Sequence, residues 1–286
     1  MYNSKTYSYE WEDYNEGDKS VNTMVPDILA DEEFAQIDEL IVGCWGEAWE
    51  DSCQAVIDGI IENKEKFAHI KSLFMGDMDY EQCEVSWIIQ GNYSKLWEAL
   101  PNLKELTIKG STGLELGEIA HENLEKLEII CGGLGSDVIE QIMNAKLPNL
   151  KKLNLYLGSD GYGFDGDEKT IENLLKNSDF PKLEYLGIND SEIQDEVTKV
   201  VLNSKYMSQI STLDLSNGTL SDEGGVLLLE ALPKYPNIKT VDLHFHYLSD
   251  GLMKKLGKLP IDIDMDEQNE ADEDDGEVYR YAMLTE

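Results

Sequence analysis

ISTLDLSNGTLSDEGGVLLLEALPKYPNIKTVDLHFHYLSDG, residues 210–251, holds one structural unit and the start of its copy. The first copy opens Ile210-x-x-Leu213-x-Leu215 and runs on through Leu220-Ser221-Asp222-Glu223-Gly224; the second opens Ile238-x-x-Val241-x-Leu243 and runs on through Leu248-Ser249-Asp250-Gly251, an offset of 28 residues. Alternating apolar residues predict a strand, and the leucine-rich stretch between the copies predicts a helix. A strand and helix repeated at this period indicate stacked units whose shared core grows along one axis.

The same template, apolar-x-x-apolar-x-apolar, can be followed back to the start of the chain. It occurs at Ile37/Leu40/Val42, Ile70/Leu73/Met75, Leu103/Leu106/Ile108, Leu124/Leu127/Ile129, Leu150/Leu153/Leu155 and Leu183/Leu186/Ile188. Successive spacings are 33, 33, 21, 26, 33, 27 and 28, so the motif persists for eight strands while its period varies. Ile261-Asp262-Ile263 offers a weaker ninth. Proline precedes several strands, at Pro101, Pro148, Pro181 and Pro236, where it ends the preceding helix and hands the chain to the next strand. The competing arrangement is a set of unrelated strand-helix units in a doubly wound sheet, and eight matches to one template argue against it.

The stretch LSDEGGVLLLEALPKYPNIKTVDL resembles the ribonuclease-inhibitor type of leucine-rich repeat, in which a full helix follows each strand. About residues 37–265 resemble an uncharacterised bacterial leucine-rich-repeat family, through Val42-Gly43-Cys44-Trp45-Gly46, Phe74-Met75-Gly76-Asp77, Ser86-Trp87-Ile88-Ile89-Gln90 and Leu213 to Leu220. The resemblance implies an α/β leucine-rich-repeat solenoid, a horseshoe with parallel strands on the concave face and helices on the convex face. It implies a soluble bacterial protein and attaches no activity. One departure concerns the asparagine that such repeats carry eight residues after the first leucine. Here those positions hold Trp45, Met78, Ser111, Gly132, Gly158, Ser191, Gly218 and His246, which puts regular loop geometry in doubt.

Three segments follow: an N-terminal cap over 1–36, a solenoid over 37–265, and an acidic loop with a C-terminal capping strand over 266–286. Residues 266–277 are too acidic to bury anything and read as a disordered loop. Val278 to Leu284 is apolar enough to return as a strand against Ile261 to Met265, the alternative being a linear motif for a partner. Helices are expected over 47–67, 80–100, 136–145, 170–175, 196–202, 222–232 and 250–256, with Ser221 and Ser249 as N-caps.

The net charge of −35 opposes binding to nucleic acid or anionic membranes, both of which call for lysine and arginine. Ten carboxylates and no base lie in residues 262–277, so removing that stretch would bring the net charge to −25. No apolar run is long enough to span a bilayer, and the N-terminus lacks the basic start and apolar run of a secretory signal. Cys44, Cys53, Cys83 and Cys131 fit neither a zinc site nor a disulfide framework, so they read as reduced, buried cysteines of a cytoplasmic protein.

Between the core positions of each strand lie the residues of the open face. In order these include Phe74, Lys109, Lys126, Lys152, Tyr156, Tyr185, Asp214, Asp242 and His244, and the face as a whole carries five carboxylates against three lysines. Aromatic side chains among a few charges suit a protein partner, and these nine residues are the expected contact set. A merely solvated sheet face is the bland alternative. His244-x-His246 with Asp242 and Asp214 has metal-ligating residue types, but His246 falls after the strand has turned, where side chains point inward, so no metal is expected. The loop from Gly158 to Asp167 fails the EF-hand spacing, and Cys131-Gly-Gly-Leu-Gly135 lacks both the dinucleotide spacing and a following Lys-Ser/Thr. No nucleophile elbow or His-Glu-x-x-His motif is present. The expectation is a non-catalytic interaction scaffold without cofactor, monomeric on its own, that binds another protein through its concave face and strand-end loops. The alternative is an acidic inhibitor or antidote of a basic protein, acting through tail and caps.

Overall fold

A computed structural model describes residues 2–284. Ten strands form one parallel sheet in unbroken chain order: β1 (Ser4–Tyr7), β2 (Glu39–Val42), β3 (Ser72–Met75), β4 (Glu105–Lys109), β5 (Lys126–Ile130), β6 (Lys152–Gly158), β7 (Tyr185–Ser191), β8 (Thr212–Asp214), β9 (Thr240–Asp242) and β10 (Asp262–Asp264). The eight templated segments are β2 to β9. The weak ninth is β10, and the segment assigned to the N-terminal cap adds β1 at the other edge. Between strands run α1 (Trp11–Asn15), α2 (Val21–Ala30), α3 (Gln54–Glu62), α4 (Lys64–Phe67), α5 (Leu96–Ala99), α6 (Ser136–Met143), α7 (Glu168–Asn177), α8 (Gln194–Leu202), α9 (Asp222–Ala231) and α10 (Asp250–Leu256). From α6 onward each helix packs on the next. The apolar template residues are buried with the helices' inner faces in one continuous core.

One expected helix is much shorter than its sequence window. Residues 80–100 form only a 3₁₀ turn at Val85–Trp87 and the one-turn α5. Between β4 and β5 there is no helix, because 21 residues must supply a strand and its return. That span instead makes isolated bridges, Ile89 with Thr112, Asn92 with Glu115 and Ala120 with Lys146, while Leu114, Leu116 and Ile119 fill the core.

Repeats are tied together mainly through the residue just before each template's first apolar position. Asn102 Nδ2 donates to the Ala68 carbonyl at 2.7 Å, Asn123 to Pro101 at 2.8 Å, Asn149 to Glu122 at 2.7 Å, and Asn237 to Met207 and Ile210 at 2.8 and 2.7 Å. His69 and Gln209 fill the same slot and bond the carbonyls of Phe34 and of Phe180 and Leu183. The side-chain tie missing at the strand's end is thus made at its start. At the strand's end, some replacements still serve the loop: Ser111 Oγ donates to Gly133 O at 2.6 Å, and buried His246 bonds Met265 O at 3.0 Å. Ser221 caps α9 by accepting from Glu223 N. Ser249 holds the same position before α10, but its hydroxyl donates to Asp222 at 2.7 Å instead.

The C-terminal segment departs from expectation. Residues 272–279 form an exposed antiparallel hairpin, β11 (Asp272–Asp274) with β12 (Glu277–Tyr279), in place of a structureless loop. The return strand does not pair with β10. Residues 281–284 lie instead on the end of β7 and the turns that follow β8 and β9. With β12 paired to β11, the chain reaches the strand-end turns rather than the β10 edge.

Candidate functional site

Parallel register arranges the open face in rows. Row one runs Ser72, Glu105, Lys126, Lys152, Tyr185, Thr212, Thr240, Asp262, and row two runs Phe74, Thr107, Glu128, Asn154, Gly187, Asp214, Asp242, Asp264. In row three Lys109 pairs with Ile130, and Tyr156 with Asn189.

The centre is one connected polar network. Glu128 lies 2.6 Å from Lys126 Nζ and 3.2 Å from Lys152 Nζ, and accepts from Asn154 Nδ2 at 2.7 Å. Asn189 Nδ2 donates both to Asn154 Oδ1 at 3.1 Å and to Asp214 Oδ2 at 2.9 Å. The Tyr185 hydroxyl donates to the same Asp214 oxygen at 2.5 Å, and Lys152 Nζ sits 4.3 Å from the centre of the Tyr185 ring. Gly187 is required here by close approach, since a Cβ would come within 1.8 Å of Asn154 Oδ1. Burial alone would raise the Glu128 carboxyl, but the bonds from Lys126 and Asn154 and the charge of Lys152 hold it below its ordinary value. Burial, and then the Asp214 charge, push the phenols of Tyr156 and Tyr185 well up, so both stay neutral donors.

Six of the nine expected contact residues fall in or beside this network: Lys126, Lys152, Tyr156, Tyr185, Asp214 and, one strand on, Asp242. His244 Nδ1 pairs with Asp242 Oδ1 at 2.6 Å. Two stand apart. Lys109 donates to the Met78 carbonyl and has its pKa lowered by burial, with Asp77 and Asp79 opposing. Phe74 sits in row two on β3, beyond Thr107 from Glu128. Asn154, Asn189 and Glu128 are open-face residues whose connecting role is not evident from the sequence. All three lie in the alternating positions, but only register shows them meeting.

Asp242, His244 and Asp264 each offer one ligand atom, all within 4.8 Å of one another, and are the residues that could hold a divalent ion. By residue type alone, Asp214 and His246 group with His244 and Asp242. Asp214 is committed to Tyr185, Asn189 and Ser216, and His246 is turned into the core, as its position after the strand implies. Asp242 and Asp264 also share a structural task with Asp214, since each accepts the amide two residues on, from His244, Asp266 and Ser216. None of the four cysteines is an activated thiolate: burial raises all four, Cys83 to about 11 and Cys53 and Cys131 to about 12. Among the described residues no helix is long and apolar enough to cross a membrane.

Large aromatic side chains are exposed in the connections after the first three strands: Trp11, which opens α1, at 54%, Trp49 at 38%, Tyr80 at 75% and Trp87, in the 3₁₀ turn, at 59%. These loops are bonded to one another, with Tyr9 N donating to Cys44 O at 2.7 Å and Ile89 N to Ala48 O at 3.0 Å.

No family model matches the chain, and no curated protein matches it. A crystal structure of a protein from Bacteroides fragilis superposes with a TM-score of 0.88 at 42% sequence identity, over 94% of this chain and 75% of that one. The chain belongs to the family of that Bacteroides fragilis protein.

Proposed function

We propose that the chain is a leucine-rich-repeat solenoid that holds another protein against its concave face and strand-end loops, without catalysing a reaction itself. The sequential strand order, the consecutive packing of α6 to α10 and the repeating asparagine tie support the solenoid. The observation that carries the binding reading is the set of exposed aromatics after β1, β2 and β3. Water-facing tryptophan is costly, and such side chains recur at the energetic centres of protein interfaces. The central network adds a second feature. Lys126, Lys152 and Tyr185 are held in place by Glu128 and Asp214, so a partner would meet a preorganised surface with little left to immobilise. In this reading the protein works in the cytoplasm as a monomer, and its charge keeps it from nucleic acid and anionic lipid.

Binding to a purified partner, first captured with the intact protein and then titrated, tests this. Combined Lys126→Ala, Lys152→Ala and Tyr185→Ala, and separately Trp11→Ala with Trp87→Ala, should each weaken the complex at least about tenfold, as loss of interface anchors does. A complex untouched by both sets would sink the reading. If affinity collapsed instead with moderate salt and ignored both sets, the exposed acidic hairpin would be the contact, as for an acidic inhibitor of a basic protein.

A further inference from the structure

The last described residues are recognised almost entirely through their backbone. The Tyr247 hydroxyl lies 3.0 Å from Tyr281 N and 3.2 Å from Tyr281 O, so it can accept from one and donate to the other. Met283 N donates to the Asn217 carbonyl at 2.8 Å and to Asp190 Oδ1 at 3.0 Å, and Leu284 N donates to the same oxygen at 2.9 Å. Ala282 alone among these residues is buried, at 6% exposure, while the flanking Tyr281 and Met283 side chains face outward. Such a site reads main chain plus one small side chain.

The receptor side is built for this. Asp190, near the end of β7, and Asn217, just after β8, hold the same place in consecutive repeats, and both have left-handed backbone, at φ 52° and 62°. That turn aims the Asp190 carboxylate and the Asn217 carbonyl at the passing chain. Asp190 is fully buried, yet its Oδ2 has no partner among the described residues. A buried, half-used carboxyl is a costly group that core packing alone does not call for. The arm that delivers the tail is weakly held: the hairpin of β11 and β12 is exposed at every strand residue and pairs only with itself.

We propose that Asp190, Asn217 and Tyr247 form a peptide-binding site that residues 281–284 occupy as a releasable resident ligand, and that it takes in their place an extended segment of a partner protein with alanine or glycine at the position of Ala282. Main-chain bonds supply the affinity, and the closed pocket at Ala282 supplies the selection. The tail competes at the effective concentration of a tethered ligand, so a free peptide must overcome an advantage of about millimolar order. The site goes beyond the scaffold reading and stands without it, since it uses neither the open-face network nor the aromatic rim.

The test uses the full-length chain and a fluorescein-labelled peptide of residues 280–286, Arg-Tyr-Ala-Met-Leu-Thr-Glu. Ala282→Lys should expel the tail, so that the amides of Met283 and Leu284 exchange at least about tenfold faster in a chain whose circular dichroism is unchanged. That variant should bind the labelled peptide saturably, and the unmodified chain at least about tenfold more weakly, because its own tail competes. A peptide carrying lysine in place of alanine should not bind. Tyr247→Phe in the Ala282→Lys background should lower peptide affinity by about tenfold through the two lost bonds, in a residue outside the core, whereas Asp190→Ala risks the fold. Tail amides still protected in Ala282→Lys, or an expelled tail with no peptide binding, would overturn the proposal and leave a purely structural clasp. Tail exchange between copies, seen as a concentration-dependent dimer without binding of free peptide, would overturn it as well.

Discussion

Asp190 shows how one residue couples charge to docking. Burial pushes its carboxyl up to about 8, against the lowering effect of the amides of Leu284 and Met283. The ionisable groups that sense its charge, Tyr156 and Cys131, are themselves raised and neutral through that range. With the folded value above the ordinary 3.8, folding takes up a proton at Asp190. This contribution is therefore complete below pH 3.8 and is lost as pH rises through about 8. The Leu284 amide resonance should titrate with a midpoint near 8 and cease to do so in Asp190→Asn; a flat profile would show the carboxyl ionised throughout. None of this was legible in the sequence, where Asp190 is one acid among 58. Lys126, Lys152, Tyr156 and Tyr185 were legible, because strand alternation alone decides which face a residue takes. The bonds of Lys152 to Glu128 and of Tyr185 to Asp214 were not, since these depend on register between strands, across 24 and 29 residues of chain.

Within single repeats, the eight strands were readable from one template because buried apolar residues must recur at fixed spacing wherever each strand meets the same core. Most helices were readable from their apolar spacing, but residues 80–100 kept only a 3₁₀ turn and one helical turn although their repeat spans 33 residues. The tie at the strand's start was hidden in plain sight in the Pro-Asn-apolar triplets, whose proline explained itself and drew attention from the asparagine. Asn149→Ala should cost about 1 kcal/mol, the loss of one solvent-accessible tie between neighbouring strands, read as a lower urea midpoint at unchanged slope. Asn237→Ala leaves two carbonyls unpaired and should cost more. By contrast, Lys104→Ala and Lys151→Ala break exposed pairs to Glu125 at 3.0 and 2.5 Å and should each change stability by less than about 1 kcal/mol. If the lysines mattered more than the asparagines, the ladder of charges would be the true inter-repeat tie. Gly158→Ala is the severe case at this scale. Its φ is 71°, and a Cβ would lie 1.7 Å from the Gly132 carbonyl oxygen, so the β6 turn must move. A loss of at least about 3 kcal/mol is expected in urea unfolding, as backbone strain and a clash combine.

For the whole molecule, electrostatics is decided by a shortage of bases. With 58 acids and 23 lysines and arginines, even complete pairing would leave 35 carboxylates without a cation. The pairs that do form are mostly exposed, and each contributes little. Added salt weakens both effects, but unequally. It screens a few short pairs slightly and the many longer repulsions strongly, because the Debye length falls from about 30 Å at 0.01 M to about 8 Å at 0.15 M. Compaction brings the unpaired carboxylates of caps, helices and hairpin closer than they are in the unfolded chain, so screening must favour the folded state. The melting temperature should therefore rise by several degrees between those ionic strengths, with most of the gain reached by 0.15 M, as measured by calorimetry at pH 7. Sodium chloride and potassium chloride should act alike, since screening does not distinguish them, whereas a rise seen only with a divalent chloride would point to an ion held by Asp242, His244 and Asp264. A melting temperature that fell with salt would mean that the short pairs outweigh the net charge, and that the lysines of the central network, not the apolar repeats, set the stability of the molecule.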